Sequence, residues 1–583
     1  MMKPLSIPRL VCLLVFCFSL LASLSASPEA GNKSPVLLTV MQHELQRAKV
    51  DLGKLEPAPY FISYSAKDQV ASVVIASEGS LVNSTQAHTR TADVIVRIGS
   101  PALDNTHGVS RNTALRTNLL PLEDDPDAIA HVLWQLTYSG YRTASSAYLN
   151  VKTKSQVDAK EEDASPDFSL EKPTTYLEAS HEATRELAPA ADKKLEQAVR
   201  LYSAAFRKYP YIYQSMAMAS SQNVVSYFVS TEGSRVVAST TLVRLAIQAQ
   251  TRAADGMELM RVETFQADTA SDLPSEAEVT RLVEKMASDL DRLRTAPLAE
   301  PFEGPALLSA RAAAVFFHEV LGHRLEGQRQ RGEQEGQTFT KRINQSVLPA
   351  FLSVVDDPTQ RTLNGVELSG WYQYDDEGEP AQRVEVVKDG VLKNFLMSRM
   401  PIKGFDQSNG HGRAQAGAMP VGRQGNLIIT SSSTIPDAEL RQRLLDEVKR
   451  QGKSYGLYFE DIEGGFTLTQ RGAPQVFQVL PILVWRVYAD GRPDELVRGV
   501  DIVGTPLTAM THIMVTGDHT AVFNGVCGAE SGAVPVSAAS PAVLMSEIEV
   551  QKRKHTLMRP PILPPPGFEN SPDLKPADAG GRQ

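Results

Sequence analysis

Cysteine is nearly absent from this chain. Only Cys12, Cys17 and Cys527 occur in 583 residues, which excludes a small fold stapled by disulfides. Excess positive charge is also missing. Asp and Glu (68) outnumber Lys and Arg (59), giving a net charge of −9, so the whole chain has no electrostatic footprint for nucleic acid. Beyond the first 22 residues no run of 18 uninterrupted apolar residues occurs, so no later helix of the mature chain is expected to insert stably in a membrane. There is no internal repeat. What is present is ordinary globular material. Hydrophobic residues make up 42%, and the 38 glycines bring the apolar share to about 48%, which excludes disordered, collagen-like and coiled-coil chains. The length predicts about four domains, or two large ones.

The two N-terminal cysteines lie in a segment that reads as a signal peptide. Lys3 and Arg9 form a charged start, Leu10 to Ala22 is an apolar run too short to span a bilayer comfortably, and Ser23, Ser25, Ala26 and Ser27 supply small residues for cleavage near Ala26. The expectation is export to the periplasm or outside the cell. Cleavage would take the net charge from −9 to −11 and leave Cys527 as the one thiol. A single thiol in an exported chain is a buried hydrophobe, an intermolecular partner or a ligand.

The organisation expected is α+β. An N-terminal α+β domain (27–300) precedes a β-rich C-terminal domain (301–555) carrying one buried metal-binding helix, and a Pro-rich disordered tail follows (556–583). In the first domain, helices are predicted at Val36–Leu52, Asp127–Ala147 and Asp192–Lys208, and strands at Tyr60–Ser65, Ala71–Ala76 and Ala92–Ile98. Two more strands joined at Glu232-Gly233 span Val224–Arg252. A capping box at Ser275–Glu278 opens a helix running to about Arg294. The charged, Pro-broken stretch within 151–190 reads as an insertion or linker. After one helix the second half reads as strands, with turns at Lys388-Asp389-Gly390 and Ala489-Asp490-Gly491.

The chemistry concentrates in His318-Glu319-Val320-Leu321-Gly322-His323. The residues before it, from Ala312 to Phe317, are apolar nearly all round, so two histidines and a glutamate end a buried helix and need partners. A zinc ion would provide one. The spacing departs from the H-E-x-x-H zinc-protease pattern, whose histidines lie about 40° apart on a helix. At i and i+5 they are about 140° apart on a straight helix and cannot share a metal. A π-bulge, or a break at Gly322, around Leu321–His323 is therefore predicted. The dipeptide His181-Glu182 has no second histidine within five residues and carries no such signal. Cys527 is the first candidate for a third ligand, and Glu326 the alternative. Cys527 sits between Gly525 and Gly528, which would allow a tight turn.

At these residues the chain resembles the TldD/PmbA family of zinc metallopeptidases. The likeness runs in order through HEVLGHRLEG (318–327), VVDD (354–357), YDDEGEP (374–380), VVKDGVLKNFLMSR (386–399), NGHGRAQAGAMP (409–420), Gly464-Gly465 and NGVCGAESGAVPVSAASP (524–541). It implies one zinc ion per chain held by two histidines and a cysteine, with a glutamate base, here His318, His323, Cys527 and Glu319. It also implies peptide or unfolded-polypeptide substrates, and homo- or heterodimers with a sister TldD/PmbA subunit that enclose a chamber. Sister subunits without activity lack the H-E-x-x-x-H residues, which this chain keeps. His411 and Arg413 are candidates for stabilising an oxyanion, and Gly464 and Gly465 for letting a peptide add to a sheet edge. The alternatives are a non-catalytic scaffold subunit paired with an active sister chain, and a peptide-binding export factor with no metal.

Overall fold

The computed structural model describes residues 35–108, 113–155, 164–178, 189–331, 335–471, 476–553, 563–564 and 566–567. The expected signal peptide, His181-Glu182 and nearly all of the expected tail lie outside them. Among the described residues no helix is long and apolar enough to cross a membrane.

The first half is one mainly antiparallel sheet with helices on one face. Its principal strands are β1 (Pro59–Ser77), β2 (Ser80–Ser100), β3 (Gln214–Ser230), β4 (Arg235–Arg252) and β5 (Glu258–Ala267), in the order β2-β1-β3-β4-β5. Alternation along β1 explains the layering. Ile62, Tyr64, Ala66, Val74 and Ala76 point to the helices, while Phe61, Ser63, Ser65 and Lys67 point to the second half of the chain. Helices α1 (Pro35–Leu52) and α2 (Pro126–Lys154) cover one end of the sheet. Helices α3 (Pro189–Ala204) and α4 (Glu276–Thr295) cover the other. The capping box at Ser275 and Glu278 that starts α4 is formed as predicted.

Two expectations for this half need correction. The separate strands at 60–65 and 71–76 are one continuous strand, because cross-strand pairing to both β2 and β3 carries the polar middle. The expected linker is in part structural. Asp167, Phe168 and Ser169 are buried, and residues Thr175–Leu177 pair in parallel with β4.

The second half is β-rich. Its strands are β6 (Phe302–Leu308), β7 (Leu352–Asp356), β8 (Val384–Lys388), β9 (Asn426–Ser431), β10 (Tyr455–Thr467), β11 (Phe477–Tyr488), β12 (Val500–Gly504), β13 (Ile513–Ala529) and β14 (Gly532–Lys552). Strands β6, β10, β11, β12 and β14 pair in a closed ring, and β14 also carries β13 and the arm β9-β7-β8. Helix α5 (Ala310–Val320) packs against this ring through Phe316 and Phe317, both fully buried, with Phe316 edge-on to Phe477 at 5.7 Å. The sequence reading saw one helix here and missed α6 (Asp437–Arg450). That helix buries only Leu440, Leu444 and Val448 as its apolar face, and its other positions are mostly charged. A short α7 (Pro506–Thr511) completes the set.

The halves meet through an apolar seam, in which Leu483 and Leu496 join the core under α4, and through buried polar contacts. Buried Arg399 bonds Glu232 (2.7 Å) and the Ser169 carbonyl (2.7 Å) from the first half, and stacks over Phe61 and Phe168. Lys67 pairs with Asp376 at 2.8 Å. Burial here pushes the Glu377 carboxyl up to about 7 and that of Glu379 to about 8, even with Arg399 pulling the other way. The folded chain therefore holds protons that the unfolded chain has released, and stability should fall as pH rises through this window. The midpoint of thermal unfolding should be lower at about pH 9 than at about pH 6, and Glu377→Gln with Glu379→Gln should flatten the dependence.

Candidate metal centre

Helix α5 starts at Ser309, whose hydroxyl accepts from the Ala312 amide and whose amide donates to the Phe459 carbonyl of β10. It stops at Val320. Leu321 caps it, and Gly322–Arg324 turn into a tighter 3-10 segment. This is the predicted break, and it brings the His318 and His323 rings to 5.0 Å, edge to face. Gly322 is closely packed at the break. A Cβ on Gly322 would lie 1.9 Å from Gln424 Oε1, and Gln424 Nε2 approaches the His318 carbonyl at 3.5 Å.

Cys527 completes the group. It lies inside β13, paired with Val534, and is not in the tight turn expected between its flanking glycines; the hairpin turns at 529–532. Its Sγ is 3.4 Å from His323 Nε2. One donor atom from each of His318, His323 and Cys527 lies within 4.8 Å of the others, and all three residues are buried. The site electrostatics suit a cation. Burial opposes ionisation of the Cys527 thiol, but His323 and His318 hold it well below the usual thiol range. Burial likewise opposes protonation of both imidazoles, and the Cys527 thiolate raises them. His318 Nδ1 is buried with no hydrogen-bond partner. Two imidazoles, a thiolate-prone sulfur and an unpartnered ring nitrogen fit a divalent metal whose bonds run about 2.0–2.3 Å.

Glu319 lies beside the group. Burial raises its carboxyl, and Oε2 has no partner. Gly465 of β10 sits against it, since a Cβ there would fall 2.7 Å from Glu319 Cγ, whereas the same position on Gly464 opens to free space. Arg324 Nη1 donates to the Glu319 carbonyl (3.1 Å) and to Thr467 Oγ1 (2.7 Å), tying the end of α5 to the tip of β10.

The other sequence candidates are placed differently. Glu326 is not one of the three converging donors. It stands behind His323, 3.1 Å from Nδ1, and accepts from Arg329 at 3.0 Å. Burial alone would raise its carboxyl, but His323, Arg329 and Arg423 hold it down at about 2. A carboxylate in that position orients an imidazole ligand. His411 is fully buried between Asn409 and Asp356, so it is not presented to a substrate. Arg413 is buried as well, donating to the Gln424 carbonyl (2.6 Å) and lying over Tyr372. Both brace the 409–425 loop that carries Gln424.

Sequence reasoning missed Arg423. Its guanidinium is fully buried, donates to the Cys527 carbonyl (2.7 Å), Ser531 Oγ (2.9 Å) and the Gly532 carbonyl (3.0 Å), and approaches Glu326 at 3.5 Å. One cation thus holds the hairpin of Cys527 and the carboxylate behind His323. Its only signal was the adjoining glycine-rich stretch, which says nothing about an arginine reaching a strand about a hundred residues away.

The second half is thus a ring of strands packed on a broken helix, with a buried His-His-Cys group that could hold a metal ion. Residues 302–552 match the family model described as PmbA/TldA metallopeptidase C-terminal domain. Over this region the chain is similar to the TldD/PmbA family. It is 30% identical over 243 residues to a metalloprotease of Archaeoglobus fulgidus, covering 42% of this chain and 52% of the relative. It is 28% identical over 250 residues to a metalloprotease TldD homolog of Haemophilus influenzae, covering 42% and 48%. A zinc metalloprotease TldD homolog of Saccharolobus solfataricus is 25% identical over 251 residues, covering 42% and 51%. The matched part spans about half the length of these curated relatives. Among solved structures, TldE from Thermococcus kodakarensis superposes with a TM-score of 0.57 at 12% identity, covering 88% of this chain and 100% of that one. A Thermotoga maritima protein superposes equally well, at 15% identity over 87% and 99%. At these identities the likeness is one of fold.

The break in α5 is testable directly. Gly322→Ala should cost about 1–3 kcal/mol through overpacking against Gln424. Thermal denaturation of the variant should show a lowered midpoint, and an unchanged midpoint would mean that the packing at Gly322 is looser than described.

Proposed function

We propose that this chain is an exported zinc metallopeptidase that hydrolyses peptides or unfolded polypeptides. The observation that carries the reading is the convergence of His318, His323 and Cys527 beside Glu319, whose buried Oε2 has no other partner. His318, His323 and Cys527 would hold the zinc, which when bound supplies a Lewis acid and an acidified water able to attack a peptide carbonyl near neutral pH.

The chain's own residues do the rest. Glu319 Oε2 takes a proton from the attacking water and returns it to the leaving amine. Burial raises its carboxyl, which makes it a stronger base for the first transfer. Glu326, Arg329 and Arg423 fix the orientation of His323. Gly464 and Gly465 leave the tip of β10 unobstructed by side chains, so an extended peptide backbone can lie along it as an added strand. The N-terminal charged-apolar-small pattern supports export to the periplasm or beyond. A dimer, either of two copies or with a sister subunit, is part of this reading and rests on the family resemblance.

The test is metal content and turnover of the mature chain, purified without a metal-binding tag. Plasma mass spectrometry should find about one zinc per chain. Glu319→Gln should retain that zinc and lose cleavage of an unfolded protein substrate by about 10²–10⁴-fold. Cys527→Ala should lose both. No zinc after reconstitution would overturn the metallopeptidase and favour a peptide-binding subunit. Full activity in Glu319→Gln would remove Glu319 from its role.

A further inference from the structure

Among the described residues the first half of the chain contributes none to the metal centre, yet one of its buried arginines reaches the strand that packs on Glu319. Strand β10 runs alongside α5 for the helix's whole length. Its hydrogen bonds to α5 start at the Ser309 cap, through Phe459 and Glu460, and end at Thr467, where Arg324 ties it to the helix end. Between those points it does not follow a regular ladder. Its register with β11 shifts on both sides of Asp461 and again before Gly464, which makes Asp461 the middle of a bulge. On its other edge, β10 pairs with β6 from Leu457 to Phe459 and no further.

The Asp461 carboxylate is shared between two arginines. One oxygen accepts from Arg311 Nη1, in the first turn of α5, and Arg311 also donates to the Ile462 carbonyl at 3.2 Å. The other oxygen accepts from Arg261 Nη1 at 2.5 Å. Arg261 belongs to β5 and is almost fully buried, with Glu263 at 2.7 Å and Asp289 of α4 at 3.6 Å. This carboxylate is therefore the point where the first half, the metal helix and the bulge are joined by charge. Four residues further along, Gly465 lies against Glu319.

We propose that Asp461 is a positioning residue: by binding Arg261 and Arg311 together it sets where the tip of β10 rests on Glu319, so that docking of the N-terminal half governs turnover without touching zinc or substrate. The inference rests on the metallopeptidase reading. Backbone pairing to an extended peptide tolerates a small slide of the strand, because the strand edge repeats. Proton transfer by Glu319 does not, since a displacement of about 1 Å in a reacting group costs up to about a hundredfold. The effect should therefore fall on kcat more than on KM.

The experiment compares Asp461→Asn, Arg311→Gln and the double variant in the full-length, zinc-loaded protein, with an unfolded casein as substrate. Expected are a kcat lowered about ten- to hundredfold in each single variant, KM within about twofold, zinc content unchanged, and a double variant no worse than the poorer single one. A wild-type kcat in Asp461→Asn, or loss of zinc along with activity, would overturn the proposal. Backbone amide exchange gives a second readout that needs no activity. Residues 320–324 and 464–468 should exchange faster in Asp461→Asn while β1 to β4 stay unchanged; equal exchange overturns the proposal. If the wild type shows no cleavage that depends on Glu319, the metallopeptidase reading fails and the exchange result alone decides Asp461. If Asp461→Asn does not fold, Arg311→Gln, whose side chain is about a third exposed, carries both readouts.

Discussion

Two histidines five residues apart cannot face the same way on an uninterrupted α-helix, and the site depends on how that is resolved. The helix ends at Val320, and a single tight turn through Gly322 swings His323 back towards His318. The break exposes backbone carbonyls at the end of a buried helix, which have to be satisfied. Arg324 meets that need, donating to the Glu319 and Val320 carbonyls and reaching out to β10. The same turn therefore makes the donor group and fastens the neighbouring strand to it.

Charge at the site is arranged as alternating layers. The sulfur and the two imidazoles are inside, Glu326 is behind His323, Arg329 and Arg423 are behind Glu326, and Glu335 and Glu530 pair with Arg329 further out. Each layer neutralises the one before it, so no buried charge is left alone in a low-dielectric interior. Burial alone would make Glu326 a weak acid. The surrounding cations reverse this and keep it ionised, which lets it act as a fixed acceptor for the His323 ring. Glu319 lacks such a shell and stays a poorer acid. Two carboxylates seven residues apart thus have opposite character, set by their neighbours.

The parts of this arrangement that were legible in the sequence are those written locally. The histidines, the glutamate and the need for a break at Gly322 follow from spacing, and the α4 cap follows from Ser275 and Glu278. Strand lengths did not, because the polar middle of β1 looks like loop until its partners on both sides are known. Helix α6 was hidden by its charge, with only three buried apolar positions, Leu440, Leu444 and Val448, to mark a face. His411 and Arg413 drew attention as polar residues in a glycine-rich stretch, but burial among Asn409, Asp356, Gln424 and Tyr372 makes them braces. Arg423 and Asp461 were invisible for the opposite reason: an ion pair between distant segments leaves no trace in either segment alone.

Strand β14 has a consequence of a different kind. It pairs with β6, β9, β12 and β13, closing the ring and carrying the hairpin of Cys527. The sulfur and its nearest imidazole are 204 residues apart in the chain. Until Gly532–Lys552 is in place, the ring is open and the histidines have no sulfur to face. Assembly of this half is dominated by contacts distant in sequence, which fold slowly. The donor group therefore cannot be complete until the last strand of this half has been added.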